Sequence, residues 1–220
     1  MEIERQVYQR LGKHPNLVEV IDVDDWGIYL KQAVPGCLQV YYENGGTASP
    51  EERIKWCQDL AQVLHYVHQN NIRHSDLFGK NLLIDSSLKD SPRNILLCDF
   101  SGSAIDNNIA TIVGGEHYRH PDCEEYRPPT IRGEIHALGS TFLEIVTGRK
   151  PFHEITEAQE HEIVKLMKEG NYLDVTRLPL GDVIAKCWKR DGFFKSAAEV
   201  AEEIARSRRF CSDVLPDDEL

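Results

Sequence analysis

The sequence predicts an α+β chain in which a helix and a few strands precede a mainly helical remainder. Three observations carry this. Apolar residues recur at helical spacing at the start and over 50–70, β-branched runs fall between these two segments, and 133–148 is apolar nearly all round. In EIERQVYQRL (2–11), Ile3, Val7, Tyr8 and Leu11 share one helical face, and Gly12 with the following HPN turn stops the helix. LVEVID and GIYLKQAV then read as a short antiparallel pair joined at Asp24 and Asp25.

Ser49 and Pro50 form a helix start, with Glu51 and Glu52 at its positive end. The helix runs to about Asn70, and Ile54, Leu60, Ala61, Leu64 and Val67 form its buried stripe. NLLID (81–85) and NILLCDF (94–100) flank the polar turn SSLKDSPR and read as a hairpin. GEIHALGSTFLEIVTG (133–148) is expected at the centre of a core. Amphipathic helices follow at 157–169, 180–189 and 196–208, and then an acidic tail.

The chain of 220 residues is 41% hydrophobic and 28% charged, enough for one sizeable core or two small lobes around a cleft. A net charge of −11 repels phosphate backbones and anionic lipid, so neither a nucleic-acid nor a membrane role is expected. No run approaches the roughly 20 apolar residues of a membrane helix, and a cytoplasmic or nuclear location is expected. The six cysteines are far apart and read as reduced thiols. His117, His120 and Cys123, in EHYRHPDC, have metal-like spacing without a fourth ligand, which leaves a metal-binding module as a minor alternative.

The chemistry concentrates in IRHSDLFGKNLLID (72–85). Asp76 and Asn81 stand on a loop between the long helix and the hairpin, and Asp99 ends the hairpin's second strand. Phosphoryl transfer needs a carboxylate to orient the attacking hydroxyl and further oxygens to hold Mg²⁺ across the nucleotide phosphates. These three residues could supply that set.

At this point the sequence resembles the eukaryotic protein kinases. HSDLFGKN is similar to H-R-D-L-x-x-x-N at His74, Asp76, Leu77 and Asn81, and CDFS to D-F-G at Asp99 and Phe100. GGEHYRHPD (114–122) resembles the substrate loop that ends in A-P-E, and 133–152 the central helix and its exit. EIERQVYQRL resembles the helix called αC, with Glu4 at the place of its glutamate. The resemblance implies Asp76 as catalytic base and Asn81 and Asp99 as ligands of Mg²⁺ and the nucleotide, ATP. His74 and Phe100 would pack between αC and the catalytic loop.

Departures from the family pattern are also visible. No G-x-G-x-x-G occurs, Ser75 replaces the arginine of H-R-D, and Ser101 replaces the glycine of D-F-G. Lys80 stands four residues after Asp76, where many tyrosine kinases carry an arginine, so the substrate hydroxyl class stays open; Lys80 or Lys31 would have to stand in for the family's phosphate lysine. Asp122 and Glu134 stand where the family has the A-P-E glutamate and the central-helix aspartate.

The resulting expectation is a kinase-like fold truncated at αC. It has a reduced N-lobe of αC plus one strand pair (1–35), an intact, mainly helical C-lobe (36–210) and an acidic tail (211–220). Its expected function is that of a pseudokinase binding module, with an active ATP- and Mg²⁺-dependent protein kinase as the alternative. A protein partner or substrate follows in either case. Apolar surface around Val7, Val18, Val20 and Ile28 is expected to be exposed and to favour self-association.

Overall fold

The structure is a computed structural model and describes residues 2–86, 92–106, 108–123 and 128–212, the side chains of 209–212 excepted. It opens with helix α1 (Glu2–Leu11), whose Val7, Tyr8 and Leu11 are buried as the spacing predicts. Strands β1 (Val20–Val23) and β2 (Ile28–Leu30) pair antiparallel, with Val23 opposite Ile28. Strand β3 (Pro35–Cys37) leads into a short helix, α2 (Leu38–Glu43). The long helix α3 (Pro50–Gln69) starts where the sequence places it: the Ser49 hydroxyl accepts from the Glu52 N–H.

Strand β4 (Ile72–Arg73), a 3-10 turn (Gly79–Asn81), β5 (Leu82–Asp85) and β6 (Asn94–Leu97) follow. Strands β5 and β6 form the expected hairpin, with Leu82 opposite Leu97, and β3 joins it through Gly36 and Ile84. Strand β7 (Ala104–Ile105) pairs with β4. The rest is helical: α4 (Ile131–Thr147), α5 (His161–Lys168), α6 (Gly181–Cys187) and α7 (Ala197–Ser212).

Helix α4 is the buried centre, with Ile135, Leu138, Phe142 and Ile145 inside the main core. Around it, Trp56, Leu60 and Leu64 of α3, Ile184 of α6 and Val200 and Ile204 of α7 complete the packing. Burying one such side chain contributes about 1.5–3 kcal/mol, so this helix-on-helix core dominates the stability of the scaffold.

Several expectations are corrected here. The upper part is not reduced to one helix and one strand pair: among the described residues, seven strands stand in three sheets, of two, three and two strands, and the fold is two-lobed and kinase-like. Strand β3 escapes a sequence reading because Pro35 and Gly36 are poor strand formers, tolerated on an edge. The stretch 157–169 divides into a 3-10 turn (Glu157–Gln159) and α5. Val7 and Val18 are buried, not exposed: Val7 lies in the main core, and the Val18 N–H donates to Leu97 O, fastening that loop to β6. Val20 and Ile28 are partly buried against the same core, and the exposed large apolar residues of the strand pair and its turn are Ile21, Val23, Trp26 and Tyr29. Residues 213–220 of the acidic tail and 87–91 of the polar turn lie outside the described residues. Among the described residues, no helix is long and apolar enough to cross a membrane.

Candidate active site

The loop from His74 to Asn81 is held from beneath by one stretch of α4. The Ser75 N–H donates to Glu134 Oε1 at 2.6 Å, Thr141 Oγ1 donates to Leu77 O at 3.1 Å, and the Gly79 N–H donates to Glu144 Oε2 at 2.9 Å. Residues 134, 141 and 144 lie within one side of a helix of 3.6 residues per turn, so one rigid element fixes three points of the loop. Ser75 takes a left-handed backbone, φ 72°, which turns its N–H down onto Glu134. The other oxygen of Glu134 lies 2.6 Å from His68 Nε2 of α3. Burial alone would raise the Glu134 carboxyl, but the hydrogen bond and charge of His68 and the Ser75 N–H outweigh it and hold the group below its ordinary value.

From above, the loop is fixed by His74. Its Nε2 donates to Cys98 O at 3.0 Å and its Nδ1 accepts from the Asp76 N–H at 3.3 Å. The His74 ring lies 4.8 Å from that of Phe100, which meets Tyr8 of α1 edge-on at 5.4 Å. The aromatic chain expected between the opening helix and the catalytic loop is therefore present, and it includes Tyr8.

Asp76 and Asn81 come together directly. Asn81 Nδ2 donates to Asp76 O at 2.7 Å and to Asp76 Oδ2 at 3.1 Å. Asn81 O in turn accepts from the Cys98 N–H, so the β5–β6 register sets Asp99 beside the loop. Burial raises the Asp76 carboxyl above its ordinary value and the charge of Asp99 adds to this, while His74, Asn81 and Lys80 oppose it. Asp99 itself is exposed, at φ 60°. Its Oδ1 accepts from the Ser101 hydroxyl at 2.6 Å and from the Ser101 N–H at 3.3 Å. Ser101 thus orients one oxygen of Asp99.

Lys80 is exposed on the 3-10 turn, close enough for its charge to act on Asp76. Lys31 instead sits 3.4 Å from Glu19 on the strand pair. Glu4 is half-buried. Burial and then the charge of Asp99 raise its carboxyl, while the Phe100 N–H favours the ionised form. Asp122 forms a two-pronged pair with Arg190, at 2.9 and 2.7 Å.

His117, His120 and Cys123 form no metal centre. His117 faces Pro151 O and Glu160, His120 faces Arg190 O and the Asp122 N–H, and no group of three or more His, Cys, Asp or Glu among the described residues could hold a metal ion. Sequence reasoning missed His68, Tyr118, Thr141 and Glu144. One signal was available: an acid inside an apolar helix needs a buried partner. Glu144 has two, the Gly79 N–H and the Tyr118 hydroxyl, each at 2.9 Å.

The protein kinase domain family matches residues 1–199. Serine/threonine-protein kinase PrkC of Bacillus subtilis (strain 168) is 30% identical over 148 residues, 63% of this chain and 22% of that protein. Serine/threonine-protein kinase mos of Patiria pectinifera is 27% identical over 180 residues, 74% of this chain and 50% of that protein. Human receptor tyrosine-protein kinase erbB-4 is 26% identical over 211 residues, 89% of this chain and 16% of that protein. The chain thus spans half or less of the length of these relatives. The match over residues 1–199 and the seven strands overturn the expectation of a kinase truncated at its αC helix, and with it the pseudokinase reading built on that truncation. From its first residue to residue 199, this chain belongs to the protein kinase domain family.

Proposed function

We propose that the chain carries the catalytic machinery of an ATP- and Mg²⁺-dependent protein kinase, transferring the γ-phosphate to a hydroxyl of a protein substrate. The observation that carries this reading is the meeting of Asp76, Asn81 and Asp99 at one loop end, braced by α4. Asp76 orients the attacking hydroxyl and takes its proton as the new O–P bond forms and the bond from the γ-phosphorus to the bridging oxygen breaks, with ADP leaving. Burial raises the affinity of this carboxylate for that proton, and the Asn81 amide fixes one of its oxygens.

The donor set fits a hard divalent cation. Asn81 spends its amide N–H₂ on Asp76, which leaves its amide oxygen as an acceptor, and Asp99 supplies a carboxylate. Mg²⁺ is commonly held by one or two such protein oxygens together with substrate phosphates, so a larger protein cluster is not required. When bound there, Mg²⁺ neutralises phosphate charge. Lys80, exposed and close enough for its charge to act on Asp76, adds a cation to the same loop.

Radiolabelled phosphate transfer from Mg·ATP to casein and to a Glu/Tyr copolymer tests the reading and separates the hydroxyl classes. Asp76→Asn is expected to lower kcat by about 10²- to 10⁴-fold with the melting temperature kept. Asp99→Ala is expected to abolish the thermal shift given by Mg·ATP. Absence of transfer by the unaltered chain, with no thermal shift, overturns the reading.

A further inference from the structure

His117 is buried, and both of its ring nitrogens face acceptors. Nδ1 lies 2.5 Å from Pro151 O and Nε2 lies 2.9 Å from Glu160 Oε1. A carbonyl oxygen can only accept, so Nδ1 carries a proton. The same Glu160 oxygen lies 3.5 Å from the Lys150 ammonium, which keeps it a carboxylate and an acceptor too. Burial disfavours that ionised form, but the hydrogen bond and charge of His117, with Lys150, outweigh it and lower the Glu160 carboxyl. Pro151 O and Glu160 thus hold the ring at both of its nitrogens. The charged groups around it are Glu160 and Lys150 from the 148–160 connection, and Glu116 and Arg119 from its own segment, which pair with each other at 3.1 Å.

The adjacent residue reaches the other way. Tyr118 donates its hydroxyl to Glu144, which also holds the Gly79 N–H of the catalytic loop, and its ring lies 5.6 Å from that of Phe78. Two neighbouring side chains therefore fasten 114–120 at once, outward to the 148–160 connection and inward to the loop that carries Asp76. Gly114 lies close in the same way: a Cβ there would stand 3.1 Å from Ser75 O.

We infer that His117 and Glu160 are positioning residues that clamp the segment facing the protein substrate against the catalytic loop. This rests on the kinase reading for the word substrate, but not for the clamp. Loss of the His117–Glu160 contact would loosen the segment. The effect falls on binding of the protein substrate and leaves the nucleotide side alone.

Long-range ¹H–¹⁵N spectra of the imidazoles, with the His117 ring assigned by its loss in His117→Gln, read the contact directly. The Nε2 resonance of His117 is expected to differ between the unaltered chain and Glu160→Gln; an identical resonance in the two overturns the inference. In Glu160→Gln, amide exchange over 114–120 and KM for casein are each expected to rise by roughly 3- to 10-fold, the weight of one net hydrogen bond, with KM for ATP unchanged. Exchange equal to that of the unaltered chain overturns the clamp. Should the unaltered chain transfer no phosphate, the kinase reading falls, while the ring and exchange measurements still decide the clamp.

Discussion

Replacing Glu134 by alanine should unsettle the catalytic loop more than any substitution on its exposed side. The carboxylate is 4% exposed and accepts from the Ser75 N–H and from His68 Nε2, both at 2.6 Å. Removing it strands two buried donors, at about 1–3 kcal/mol each, or about 2–6 kcal/mol together. Breaking one side of a buried pair gives a compatible about 3–5 kcal/mol, a large part of the about 5–15 kcal/mol that holds a domain folded. At about 2–4 °C per kcal/mol for a chain of this size, melting should fall by about 6–20 °C. Glu134→Asp, one methylene shorter, should recover part of this by keeping the charge.

The pH dependence has a fixed sign. The folded Glu134 carboxyl is held below its ordinary value of 4.5, so its contribution is complete above that pH and disappears as pH falls below it. Calorimetry of Glu134→Ala and the unaltered chain should therefore show a difference at pH 7 that narrows at acid pH. A fall of less than about 3 °C at pH 7 would refute this account of the brace.

Two other substitutions probe the scaffold. In Gly79→Ala, the new Cβ would lie 2.2 Å from Glu144 Oε1, on a carboxylate held in place by the two hydrogen bonds that its Oε2 accepts. Overpacking of this kind costs about 1–3 kcal/mol, to be read as a lower denaturation midpoint; an unchanged midpoint would mean that Glu144 is free to move. Arg93 grips Glu52 with Nε and Nη2, both at 2.7 Å, and lies over the rings of Tyr41 and Trp56. Arg93→Lys keeps the charge but loses the planar fork, so it should destabilise nearly as much as Arg93→Ala, by about 2 kcal/mol in urea unfolding.

The sequence made legible what depends on near neighbours. Ser49 and Pro50 announce α3 because capping is settled within four residues. The order of His74, Asp76, Asn81 and Asp99 announces the loop and hairpin because their pairing is local. The bracing of that loop was not legible. Glu134, Thr141 and Glu144 meet it from 59 to 65 residues away, and nothing in their own neighbourhood specifies the target. The start of α4 was placed at Gly133, whereas Thr130 caps the helix by accepting from the Gly133 N–H. Val18 is buried through β6, a distant element that strand periodicity does not reveal.

Three carboxylates crowd the proposed site. Asp99 is exposed, and its charge adds to burial in raising both Asp76 and Glu4, while Lys80 opposes it at Asp76. Ser101 neutralises nothing, because it offers only dipoles to Asp99. A divalent cation at Asp99 would cancel the charge that both neighbours feel and so lower both carboxyls. By linkage, binding must then release protons, and Mg²⁺ affinity must rise with pH across the range where these groups titrate. Calorimetric titration with Mg²⁺ in two buffers of different ionisation enthalpy, at about pH 5, reads the released protons directly. Asp99→Asn should abolish the release, since an amide leaves Asp76 and Glu4 with nothing to be relieved of. Equal proton release in Asp99→Asn and the unaltered chain would place the cation elsewhere.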